Sequence, residues 1–124
     1  MYSDFDTIAS VATAVSHAGI SVIRISGSQA FSIIDRIFKP HDQSVDMKNP
    51  ESYRMYYGNI MDGQDMIDEC IILIMKGPHS YTREDVAEID CHGGITVVSD
   101  ILDLVLRSGA RPAVFVALMS LSIR

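Results

Sequence analysis

The sequence is short of positive charge, of cysteine and of long apolar runs, and each shortage closes off a class of protein. Lysine and arginine number 10 against 16 aspartate and glutamate, a formal net charge of −6. No three basic residues are consecutive. Binding nucleic acid by electrostatics needs a clustered basic face, so the chain on its own is not expected to do so. An acidic domain can still serve a nucleic-acid enzyme whose basic surface lies elsewhere. The 2 cysteines, Cys70 and Cys91, each sit in an apolar stretch without C-x-x-C spacing. They read as reduced, buried thiols of an intracellular, cytoplasmic protein. The first six residues, ending at Asp6, lack the basic n-region and apolar h-region of a signal peptide. No apolar run approaches the roughly 20 residues that cross a bilayer. The P-loop pattern and the dinucleotide fingerprint are both missing, so no P-loop nucleotide site is expected.

What is present suits one domain with its own core: 124 residues, 48% hydrophobic and 21% charged. Residues 7–13 are small and apolar and read as a first strand, followed by a turn at residues 16–19. Ile20–Ser26 is rich in β-branched residues and reads as a second strand. Residues 28–38 carry Phe31, Ile34, Ile37 and Phe38 at helical spacing, with Ser26 or Ser28 to cap the start and Pro40 to stop it. Residues 41–51 read as a loop. Strands are expected over 53–61 and 66–76, joined by a hairpin at Asp62-Gly63. The second of them is apolar on both faces, as a central strand would be. A short helical turn is expected over 82–85 with Thr82 as its cap, then a strand over 86–91. A second helix over 95–108 carries a stripe of Val98, Ile101, Leu102, Val105 and Leu106 and ends at Gly109. Strands interrupted by two helices, with hairpin neighbours, define a two-layer α+β domain with a mixed β-sheet.

The densest chemistry lies in residues 80–94, which set charged side chains and paired glycines inside a segment with strand pattern. Alternation puts Glu88, Asp90 and His92 on one side of that strand. Such a carboxylate can accept from an amidine-like edge, as in a pterin ring, or simply pair with a base. Arg24 stands mid-strand between Ile23 and Ile25, sharing a face with Val22 and Ser26. A buried arginine has to be paired. It is either half of a structural ion pair with Glu88 or a rigid donor fork for a carboxylate or a polar ring. Asp90, Cys91 and His92 are adjacent, so the cysteine points away from the other two. That geometry argues against a metal centre and against a Cys–His nucleophile. His92 reads as a turn residue that bonds backbone. Gly93-Gly94 ahead of a helix has the character of an anion-attracting terminus, a weak signal without a P-loop.

These motifs together resemble a known family. Asp6-Thr7-Ile8-Ala9, Val22-Ile23-Arg24-Ile25-Ser26-Gly27, Tyr57-Gly58, Ile67-Asp68-Glu69 and the 80–94 run stand in the order and spacing of the N-terminal domain of the tRNA-modification GTPases MnmE, also called TrmE. The resemblance covers about residues 4–113. It implies a fold similar to the tetrahydrofolate-binding part of aminomethyltransferases. It also implies binding of 5-formyl- or 5,10-methylene-tetrahydrofolate, the one-carbon source for modifying a tRNA wobble uridine. Homodimerisation through this domain is implied, and a flavoprotein and tRNA as partners of the full-length family, with no membrane. By the same resemblance Arg24 and Glu88 contact the folate; Tyr81, in the same run, is a candidate to stack on one of its rings. Two departures stand out. Residues 14–19 replace a Pro-Pro-Gly-like turn. After Ala113 the chain reads Val114-Phe115-Val116-Ala117-Leu118-Met119 where the family continues into a P-G-E-F-T-x-R-A-F segment. That reads as a truncation or a change of reading frame and divides the chain into a domain, 1–113, and an apolar tail, 114–124. So apolar a tail is expected to pair with the sheet, to pack in a dimer or to be disordered.

Overall fold

Strand alternation decides the architecture. In Ile20–Ser26 the residues Ser21, Ile23 and Ile25 are fully buried, while Val22 and Arg24 between them are only partly so. The same division runs through the β-strand Met55–Asp62, so one face of the sheet is covered more fully than the other. A computed structural model, describing residues 6–12, 19–80, 82–92 and 94–113, shows this arrangement. In chain order the elements are β1 (Ile8–Val11), β2 (Ile20–Ser26), α1 (Ala30–Ile37), β3 (Phe38–Pro40), β4 (Met55–Asp62), β5 (Asp65–Met75), β6 (Val86–His92), α2 (Ile95–Arg107) and β7 (Arg111–Pro112). The strands form a single sheet in the order β3-β4-β5-β6-β2-β1-β7. Neighbours are antiparallel except β1 and β7, which run parallel. The fold is therefore α+β, a mixed sheet with both helices packed against it.

The core lies between sheet and helices. Ile23, Ile25, Ile72, Ile74, Ala87 and Ile89 meet Ile33 and Ile34 of α1 and Ile101 and Val105 of α2, all of them without exposed surface. Both cysteines are buried in this layer as free thiols. Burial pushes both thiols up, Cys91 to about 11 and Cys70 further, so neither is a nucleophile at neutral pH.

Several expectations are corrected in detail. Helix α1 begins with Gln29 as its cap residue and uses no serine. The Thr7 hydroxyl reaches across from the start of the sheet and accepts from the Gln29 amide at 2.9 Å. Pro40 does not follow a helix end but closes strand β3, whose pairing with β4 is a long-range contact that no local pattern signals. Leu104 joins the buried stripe of α2, while Leu102 and Leu106 are only partly covered. The helical turn expected over 82–85 does not form. Arg83 has φ +68°, which breaks a right-handed turn. The Ser26 hydroxyl pairs with that of Thr82 at 2.6 Å and donates to Glu84 at 3.3 Å. These bonds draw the loop onto the end of β2. Strand β5 is interior, as expected, yet no helix covers its outer side among the described residues. The turn at 16–18, Tyr81 and the tail from 114 onward lie outside the described residues.

Candidate functional site

The face of the sheet that no described helix covers carries the chemistry. Strand β6 has β2 on one side and β5 on the other, in a register that sets Glu88 opposite Arg24 and opposite Leu73. Arg24 Nε donates to Glu88 Oε2 at 2.8 Å, and the guanidinium Nη2 lies 2.6 Å from the same oxygen. The carboxylate side chain is only 10% exposed, the guanidinium 36%. A carboxylate this buried requires a charge partner, and cross-strand register supplies it. The ion-pair alternative is therefore realised, on the face where a ligand donor could also reach it.

Asp90 follows on the same face, between Val22 and Ile71. Burial and the Glu88 charge hold its carboxyl above the usual range. His92 closes the strand. Its ring Nδ1 lies 2.7 Å from Asp68 Oδ1, and its amide donates to Asp68 Oδ2 at 2.9 Å. The histidine thus bonds a carboxylate, not backbone as its sequence context suggested. Its imidazole stands among Asp90, Glu69 and Tyr57 around a hollow of about 230 Å³. Among the described residues no three His, Cys, Asp or Glu side chains come together as a metal site requires.

On the other side of Glu88 the face turns apolar. Leu73 and Met75 of β5 floor a hollow of about 490 Å³ whose walls are Tyr53, His79 and Ser80. Tyr53 precedes β4 and pairs with β5, its amide donating to the Ile74 carbonyl at 2.7 Å. Its hydroxyl donates to the His79 carbonyl, and its backbone is left-handed at φ +58°. A bulky residue in that region is strained by about 1–3 kcal/mol, a cost found at ligand clamps and switches. The sequence reading missed Tyr53 and Leu73. The available signal was the apolar outer side of β5, which was taken as buried.

Arg24 and Glu88, expected to act together, are in contact. Tyr81, the third expected site residue, lies outside the described residues.

An α+β domain with an Arg–Glu pair across its open sheet face is the class defined here, and sequence comparison supplies the family. The pattern described as GTP-binding protein TrmE N-terminus matches residues 7–115. The chain belongs to that family. Its relatives include the tRNA modification GTPase MnmE of Lachnoclostridium phytofermentans, 51% identical over 108 residues, which are 87% of this chain and 24% of the relative. The protein of that name from Thermoanaerobacter pseudethanolicus is 50% identical over 111 residues, 88% of this chain and 24% of the relative. The Alkaliphilus oremlandii protein is 51% identical over 115 residues, 91% and 24% of the two chains. The chain thus spans about a quarter of the length of the curated relatives it matches.

Proposed function

We propose that this domain binds a reduced folate, 5-formyl- or 5,10-methylene-tetrahydrofolate, and holds two copies together within the tRNA-modification machinery of the cytoplasm. In that setting tRNA and a flavoprotein are the further partners. The observation that carries the reading is the Arg24–Glu88 pair, fixed by cross-strand register on the uncovered face. Arg24 Nε and Nη2 both meet Glu88 Oε2, which fixes the carboxylate in place on that face. The amino-pyrimidinone edge of a pterin offers adjacent N–H donors, which suit one carboxylate. The arginine fork beside it suits the ring's acceptors. Few polar contacts are needed when the walls are apolar. Tyr81 is proposed, from sequence alone, to stack on the bound ring.

Isothermal titration with 5-formyl-tetrahydrofolate tests this. Saturable heat is expected for the wild-type chain, with affinity lost by at least about tenfold in Arg24→Ala, which strands a carboxylate only 10% exposed, and in Glu88→Ala, which removes the proposed acceptor. Wild-type protein that takes up no reduced folate would leave the second reading, a dimerisation scaffold. That reading is favoured by Ile20, Met55 and Tyr57, which are 63%, 65% and 51% exposed.

A further inference from the structure

The two cysteines play no part in the open face, yet the sheet brings them together on the covered one. Strands β5 and β6 pair antiparallel from Met75–Val86 to Ile71–Asp90. One residue further along each strand stand Cys70 and Cys91, opposite each other by the same register and buried in the core at 3% and 2% exposure. We propose that this pair closes into a reversible cross-strand disulfide, which clamps β5 to β6 beyond the end of their ladder under oxidising conditions.

Directly opposed residues of antiparallel strands have Cα atoms about 4.5–5.5 Å apart, inside the roughly 4.4–6.8 Å that a disulfide spans. The two groups also feel each other, since Cys91 is among the causes that push the Cys70 thiol up. Along the row that crosses the sheet here the neighbours are small. Ser21 pairs with Cys91 on its other side, and Gly58 pairs with Cys70, so no bulky side chain of this row crowds the pair. The row is also poorly satisfied as it stands. The Ser21 hydroxyl is buried without a hydrogen-bond partner, and the Cys91 thiol makes only a weak bond, donating to the Ser21 carbonyl at 3.4 Å. Turning Cys91 towards Cys70 therefore gives up little.

Burial keeps both thiols protonated at neutral pH, so exchange waits for an opening, and the seam supplies one. The β5–β6 ladder stops at Ile71–Asp90 although both strands run on. Past that point the His92 amide is held by the Asp68 side chain at 2.9 Å. A segment held by few backbone bonds opens first. In the opened state one cysteine ionises and its sulfur attacks a low-molecular-weight disulfide, breaking that S–S bond and displacing one thiolate. The other cysteine ionises, attacks the protein sulfur of the mixed disulfide and displaces the second thiolate. Two protein thiols are oxidised, the small disulfide is reduced to two thiols, and the protons lost by the cysteines pass to the displaced thiolates.

The experiment equilibrates the full chain with oxidised and reduced glutathione in rising ratio, quenches with acid, alkylates with iodoacetamide in denaturant and weighs the product. Wild type is expected to pass from both cysteines alkylated to neither, as a monomer, and to return with dithiothreitol. Cys70→Ser and Cys91→Ser each stop at a glutathione adduct or a free thiol. In oxidised wild type, hydrogen exchange at the His92 amide slows by at least about tenfold, because the bridge suppresses the opening. Both cysteines still alkylated in oxidised glutathione alone, oxidation that halts at glutathione adducts, or a bridge found only between two copies overturns the proposal. So does a disulfide that leaves exchange at His92 unchanged, since it would clamp nothing.

Discussion

Asp90 shows how closely the charges on the open face are balanced. Its carboxyl is held above the ordinary value of 3.8, first by burial and then by Glu88. As pH rises from 3.8, the unfolded chain gives up this proton before the folded one does. Ionising Asp90 therefore works against the fold through the window between its ordinary and its raised value, and the loss persists above it. Asp90→Asn removes the charge and keeps the shape. Thermal melts should show the variant more stable than wild type at neutral pH, with the difference vanishing below pH 3.8. A difference that is constant across pH would mean the charge is not the cause. Residue-scale chemistry was partly legible beforehand. Strand parity alone puts Glu88, Asp90 and His92 on one face and Arg24 on the matching face of its own strand. The left-handed backbone of Tyr53 and its bond to His79 in a distant loop leave no local pattern, so its place beside β5 was not legible.

At the scale of elements, two close approaches hold the sheet's ends. Gly27, at φ +140°, lies where a Cβ would come within 2.6 Å of the Thr7 Cα and 2.7 Å of the Asp6 carbonyl. Its amide donates to Asp85 at 2.9 Å. The end of β2, the start of β1 and the loop before β6 thus converge on one residue without a side chain. Gly27→Ala should cost about 2–4 kcal/mol in urea unfolding, from backbone strain and from displaced backbone. Gly19→Ala, where nothing lies within 4 Å, should change stability by less than about 1 kcal/mol. Equal effects at the two sites would refute the close-approach argument. Gly58 plays the matching part for β3, where a would-be Cβ would run into the Lys39 carbonyl. Elements with a strong internal period, α1, α2 and the β4–β5 hairpin, were legible. Strand β3 was not, because three residues carry no period and only β4 makes them a strand. The start of α1 was misplaced for a related reason: the hydroxyl that holds the amide of its cap residue, on Thr7, lies 22 residues away in sequence.

Among the described residues the molecule is one-sided. Its helices cover a single face of the sheet, and the core concentrates there, with Ile89 fully buried between Ile23 and Ile72. Ile89→Ala should cost about 2–5 kcal/mol, the range for emptying an isoleucine site that cannot collapse. The apolar outer side of β5, which in sequence suggests a strand covered on both sides, has no helix over it among the described residues. A face that exposes Ile20, Met55 and Tyr57 together has the character of an interaction site, and a second copy is its proposed occupant. In a two-fold pair each residue of the shared patch occurs twice, so one added charge is felt twice. Met55 is 65% exposed, and Met55→Glu should leave the melting of the isolated fold nearly unchanged while adding a repelling carboxylate to both copies. Sedimentation equilibrium should then find wild type dimeric and Met55→Glu shifted to monomer by at least about tenfold in dissociation constant, the scale of one unpaired charge at an interface. If wild type sediments as a monomer, or Met55→Glu dimerises as tightly as wild type, the open face is not where two copies meet.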